Sequence, residues 1–166
     1  MQNIATVRAV CATLGDLCPA RAVDAALANF RWAGRFDLRG DLLLDGAHNP
    51  AGMRALLAAI DREFGERPVH AVFSALADKR VGELLGILRG RAASVRLCPT
   101  SSRRSLGWRE LAAFGEAFET VEYALEDARN WASRDGGLVL VTGSLFLVGD
   151  VMALEPGVVR DPAVDG

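Results

Sequence analysis

Leu42-Leu43-Leu44-Asp45-Gly46-Ala47-His48-Asn49-Pro50 sets a buried strand, a polar turn and a helix start side by side in nine residues. The leucine run stops at Asp45, and Gly46 permits a sharp turn. Asn49-Pro50 then combines a good N-cap with a good first helical residue. Open parallel sheets bind ligands beyond the carboxyl ends of their strands, and a helix start there offers unpaired N–H groups to an anion. Asp45 and His48 would face that crevice.

Outward from this junction, short apolar runs alternate with amphipathic stretches from Phe36 onward, the pattern of a sheet covered by helices. The class is therefore α/β. Strands are expected over 36–38, 42–44, 69–76, 94–98, 120–123 and 138–141. The first two either pair as a hairpin or lie as neighbours. The helix from Pro50 carries Met53, Leu56, Leu57, Ile60 and Phe64 on one stripe and closes at Gly65. Further helices are marked by Val81, Leu84, Leu85 and Leu88, by Trp108 and Leu111, by Leu125, Ala128, Trp131 and Ala132, and by the run over 145–154. Ahead of the sheet, spacing predicts helices over 2–14 and 21–30, joined to it by a connector over 31–35. Residues 155–166 read as a frayed tail.

A length of 166 residues with 51% hydrophobic content fits one domain and a short appendage. With 19 basic against 21 acidic residues the net charge is −2, so no overall field points to nucleic acid or an anionic membrane. No apolar run is long enough to cross a bilayer, and no signal pattern opens the chain. Cys11, Cys18 and Cys98 fit neither a disulfide framework nor a zinc site, which predicts buried thiols in a reducing cytoplasm.

Each polar residue at a predicted strand end has a chemical role and a plainer one. Asp45 can order a ligand hydroxyl, amine or metal, or simply cap the Gly46-Ala47 turn. His48 can move a proton or brace its loop. Arg35 can fork onto phosphate or remain a solvated linker charge. Asn3 can bond a purine or cap its helix, Lys79 can reach an anion or sit as a first-turn surface charge, and His70 reads as structural. Thr142-Gly143-Ser144 allows close backbone approach or tight strand-to-helix packing, and Arg103-Arg104-Ser105 reads as a mobile loop. No G-x-x-x-x-G-K-[ST] loop and no G-x-S-x-G occurs, which removes P-loop binding and weakens a hydrolase reading.

Leu44-Asp45-Gly46-Ala47-His48-Asn49-Pro50 is preceded by Trp32-Ala33-Gly34-Arg35. It is followed by Phe73-Ser74-Ala75-Leu76-Ala77-Asp78-Lys79 and by Val141-Thr142-Gly143-Ser144-Leu145-Phe146-Leu147-Val148-Gly149. These motifs, in this order, resemble the C-terminal domain of the folylpolyglutamate synthase/dihydrofolate synthase branch of the Mur ligase superfamily. The resemblance implies a Rossmann-like three-layer domain: a mostly parallel six-stranded sheet with one antiparallel edge strand, flanked by helices. It makes residues 1–30 the helical tail of a preceding ATP-binding domain, 31–154 the C-terminal domain and 155–166 a flexible tail.

The chemistry so implied is ATP-dependent ligation of L-glutamate to a folate or dihydropteroate carboxylate through an acyl phosphate. By motif, Asn3, Arg35 and Asp45 contact ATP, and His48 is the catalytic candidate near the glutamate or phosphate side. Ala33 stands where the family usually has proline, and Ile4 where an alanine follows the asparagine. No metal ligand falls in this chain, because the P-loop and Mg2+ ligands belong to the N-terminal domain. If the chain is complete as given, it would be inactive alone. The expected partners are ATP, L-glutamate, folate or dihydropteroate and that N-terminal domain, in the cytoplasm, with no nucleic acid or membrane. A peptidoglycan Mur-type amino-acid ligase and a non-catalytic nucleotide or small-molecule binding module are the alternatives. A phospho-receiver with Asp45 as acceptor fits poorly, since no acidic pair precedes it.

Overall fold

Leu42, Leu43 and Leu44 are all buried because alternate residues of one strand feed two different cores. The computed structural model describes residues 2–30, 32–76 and 81–154. They divide into two units, Met1–Trp32 and Ala33–Gly166. In the first, helix α1 (Gln2–Thr13) leads through a 3-10 turn (Gly15–Leu17) to helix α2 (Ala20–Asn29). Arg8 pairs with Asp24 at 2.9 Å on the surface, where an ion pair contributes little. Ile4, Val10, Leu14 and Leu17 stay exposed.

In the second unit, five strands form one sheet: β1 (Asp37–Arg39), β2 (Leu42–Asp45), β3 (Val69–Phe73), β4 (Ser94–Leu97) and β5 (Leu138–Thr142). Their order is β1-β2-β5-β3-β4. β1 pairs antiparallel with β2 as a hairpin, which settles the choice left open by the sequence, and every other pairing is parallel. β3 and β5 are buried along their whole length, as central parallel strands covered on both faces should be. Helices α3 (Pro50–Phe64) and α4 (Val81–Arg89) set Met53, Ile60, Leu84 and Leu88 against Leu43, Phe73 and Leu140. On the other face, α6 (Val121–Asp135) and α7 (Leu145–Met152) set Leu125, Ala128, Leu147 and Val151 against Leu44, Val72 and Val141. The short α5 (Trp108–Leu111) adds Leu111 to the first core.

The expected sixth strand, over 120–123, is instead the start of α6. Thr120 is extended (φ −133°, ψ 160°) and its side chain accepts the Tyr123 N–H, so a β-branched residue acts as a helix cap. Five strands with one antiparallel edge pair is the sheet that results. β3 also stops at Phe73, short of Leu76, which makes an isolated antiparallel bridge to Ser105.

Because β2, β5 and β3 run parallel, Asp45 lies beside Thr142 and Thr142 beside Phe73 at one edge of the sheet. The chain leaves β2 for α3 on one face and β5 for α7 on the other. Neighbouring strands whose exits diverge in this way open a crevice between them.

Candidate functional site

Asp45 ends β2 with both carboxylate oxygens engaged. Oδ1 accepts the Ala47 N–H and Oδ2 the Phe36 N–H, each at 2.9 Å. The first bond is the turn cap; the second reaches back across the hairpin to the residue after Arg35. Phe36 sits at φ 46°, a left-handed conformation that costs a bulky residue about 1–2 kcal/mol, and its ring stacks on Phe64. The Gly46 N–H donates to the Gly34 carbonyl at 3.1 Å, and the Gly34 N–H donates to Asp37. Gly34 and Phe36 are thereby stitched to the end of β2, with Arg35 exposed between them. Burial pushes the Asp45 carboxyl up; the Phe36 and Ala47 N–H groups and the Arg35 charge oppose it, and burial prevails.

His48 is half-buried, with Nδ1 2.9 Å from the Gly46 carbonyl oxygen. A carbonyl only accepts, so Nδ1 carries the hydrogen of this bond and Nε2 lies outside it. Asn49 caps α3 through the Gly52 N–H at 2.8 Å with Pro50 in the first turn, as expected from the sequence. Ser144 caps α7 through the Phe146 N–H.

The Gly143 N–H donates to the Ala47 carbonyl at 3.0 Å, and the Ser74 N–H to the Thr142 carbonyl at 3.4 Å, so the loops after β2, β5 and β3 are tied together. Gly143 (φ 97°) lies so close to β3 that a Cβ would stand 2.2 Å from the Ser74 carbonyl oxygen. The Ser74 and Thr142 hydroxyls are fully buried at this edge with no hydrogen-bond partner among the described residues. The sequence assigned Ser74 no role of its own; its one signal was its place in the motif over 73–79. Orphan hydroxyls of this kind are uncommon in folded proteins and gather where function asks for them.

The opposite edge is different. His70 is buried, its Nδ1 2.7 Å from Ser94 Oγ and its Nε2 2.9 Å from Asp135 Oδ2. Arg96, only 1% exposed, bonds Asp127 at 2.6 Å and also donates to Ser94 Oγ. Serine, histidine and aspartate meet here, but every member is already bonded, so the cluster clamps β3, β4 and α6.

Arg35, Asp45 and His48 thus come together at the carboxyl edge. Asn3 lies in the first turn of α1, and its side chain falls outside the described residues, as does Lys79. In the loop after β4, Ser105 Oγ accepts the Thr100 N–H and bonds the Leu106 carbonyl, so this stretch braces itself. Cys98 is buried, whereas Cys11 and Cys18 are only half-buried, against the expectation for all three. No described helix is long and apolar enough to cross a membrane.

Residues 34–145 match the family pattern described as "Mur ligase, glutamate ligase domain". A protein described as a probable bifunctional folylpolyglutamate synthase/dihydropteroate synthase of Haloferax volcanii is 37% identical over 142 residues, 79% of this chain and 17% of its own. Mycobacterium tuberculosis folylpolyglutamate synthase, solved with ADP and AMPPCP, superposes with a TM-score of 0.74 at 30% identity, over 87% of this chain and 36% of that one. A bifunctional folylpolyglutamate synthase/dihydrofolate synthase solved with Mn, AMPPNP and L-glutamate superposes with a TM-score of 0.67 at 27% identity, over 82% and 34%. The chain spans between 16% and 32% of the length of the curated relatives it matches. Since the family pattern takes in the whole sheet and its edge from Arg35 through Asp45 and His48 to Ser144, the chain belongs to the Mur ligase family as its glutamate ligase domain.

Proposed function

We propose that this chain is the C-terminal domain of an ATP-dependent ligase that adds L-glutamate to folate or dihydropteroate through an acyl phosphate. The observation that carries the reading is the convergence of Arg35, Asp45 and His48 at the carboxyl edge of β2, beside two buried hydroxyls without partners. Arg35, an exposed cation of this edge, and Asp45 beside it contact the nucleotide, and by motif Asn3 is a further nucleotide contact. His48, with Nδ1 held by the Gly46 carbonyl and Nε2 outside that bond, serves the glutamate amine or the phosphate side. Both Asp45 oxygens accept main-chain N–H groups, and by the family resemblance Mg2+ would be held by the P-loop domain. Residues 1–30 are the tail of that domain, and the reaction belongs to the cytoplasm.

Calorimetry and ligation assays test this directly. The chain alone should bind adenine nucleotide weakly or not at all and turn nothing over. Adding the matching N-terminal half should restore ligation dependent on ATP, glutamate and the pterin substrate. Arg35→Ala, which removes an exposed side chain, should weaken apparent ATP affinity about tenfold or more, the worth of a charge-assisted contact. Asp45→Ala should abolish complementation, and full complementation by both variants would overturn the site.

A further inference from the structure

The turn between α1 and α2 brings together two cysteines that the sequence spacing left unrelated. Cys11 lies near the end of α1 and Cys18 directly after the 3-10 turn, where the Leu14 N–H bonds the Cys11 carbonyl and the Cys18 N–H the Gly15 carbonyl, both at 3.0 Å. The chain doubles back, and both side chains line one open cleft of about 390 Å³ with Arg8, Val23 and Asp24. Both are half-buried. The Cys11 thiol hydrogen-bonds Cys18, and this contact, with burial and the neighbouring Cys18 charge, pushes Cys11 above the ordinary thiol value. Cys11 is thus the donor of the pair and Cys18 the sulfur that receives the bond, in a cleft that Arg8 also lines. Cys98 is the contrast: burial, with Asp150 and Glu122 nearby, pushes it up to about 12, which leaves an inert thiol.

We propose that Cys11 and Cys18 form an oxidisable dithiol site that a hydroperoxide converts into an intramolecular disulfide. Thiolate at Cys18 attacks the peroxide, an S–O bond forms as O–O breaks, and water leaves once the departing oxygen is protonated. Cys11 then gives up its proton and attacks the sulfenic sulfur, forming S–S and expelling the second oxygen as water. Two thiols and one hydrogen peroxide become one disulfide and two waters, so sulfur is oxidised and peroxide reduced. The bridge would fasten the end of α1 to the start of α2, across the cleft that both cysteines line.

Peptide mapping decides the matter, because trypsin cutting after Arg8 and Arg21 leaves both cysteines in one peptide, 9–21. The full chain is treated with hydrogen peroxide at a dose that oxidises an added free-thiol peptide, then denatured and alkylated. The expected product is peptide 9–21 without alkyl groups and two hydrogens lighter, recovering both alkylation sites on reduction, with Cys98 fully alkylated. Bridging should be at least about tenfold faster in the native chain than in urea, since folding supplies the proximity. C11S should leave a Cys18 sulfenic acid that dimedone traps, and C18S should leave Cys11 a free thiol. Alkylation of both cysteines in the treated wild type, bridges to Cys98 or between chains, or equal rates in urea would overturn the proposal.

Discussion

The two edges of the sheet use the same residue types to opposite ends. At the amino edge, His70, Ser94, Arg96, Asp127 and Asp135 form a network with each polar group bonded. Arg67 closes the same edge by donating to the Gly136 and Gly137 carbonyls and to Asp41. Even Gly137 is fitted to it, since a Cβ there would meet His70 Cδ2 at 2.7 Å. At the carboxyl edge, Ser74 and Thr142 have hydroxyls without partners and Phe36 holds a strained backbone. A saturated polar cluster rigidifies a fold, whereas an unsaturated one costs stability that function must justify. One edge has its described polar side chains bonded to one another; the other leaves two buried hydroxyls without a partner among the described residues.

The sharpest way to break this contrast is Asp127→Ala, which strips the partner from an arginine that is almost wholly buried. Stability should fall by about 3 kcal/mol, the order of cost of leaving a buried charge uncompensated, read as a lower urea midpoint. A change within about 0.5 kcal/mol would show the amino edge to be solvated after all.

Serine replacements at the two edges should come next in size and differ in sign. Ser94→Ala removes the oxygen shared by His70 and Arg96 and should cost about 1–2 kcal/mol. Ser74→Ala and Thr142→Val remove hydroxyls that have no partner among the described residues, so each should be neutral or stabilise the isolated chain by up to about 1 kcal/mol. Comparable losses at all three positions would remove the distinction.

The smallest effect sharpens the contrast through pH. Burial acts to raise the Asp135 carboxyl, but the His70 bond and charge and the Gly137 N–H outweigh it and leave it lowered. Its contribution is complete above the unfolded carboxylate value and is lost as pH falls through the folded one. Asp45 is raised, so its contribution is complete below the unfolded value and is lost as pH rises through the folded one. In urea titrations between about pH 3 and pH 6, the wild-type advantage over Asp135→Asn should shrink with falling pH, while that over Asp45→Asn should grow. The same slope for both pairs would refute the assignment of opposite environments.

Local chemistry explains what was legible beforehand. The Asn49 cap, the stripe on α3 and the Asp45 turn bond join residues a few positions apart, so spacing alone exposes them. Thr120-Val121 misled for a local reason too: β-branched residues suit strands, and only the bond from Thr120 to the Tyr123 N–H shows a cap. The His70 partners lie 24 and 65 residues away, beyond the reach of any pattern. The pairing of Cys11 with Cys18 depends on how a turn folds back.

The sequence by itself determined the α/β alternation, the strand that ends at Asp45, the helix that begins at Pro50 and the motifs that mark the family, because periodicity and capping are short-range. Only the tertiary structure decided that Asp45 holds the turn beyond Arg35, and that the hydroxyls of Ser74 and Thr142 end up buried at one sheet edge without partners among the described residues. Those outcomes depend on the β2-β5-β3 order, which is set by packing two helix layers on one sheet and brings together residues far apart in the chain.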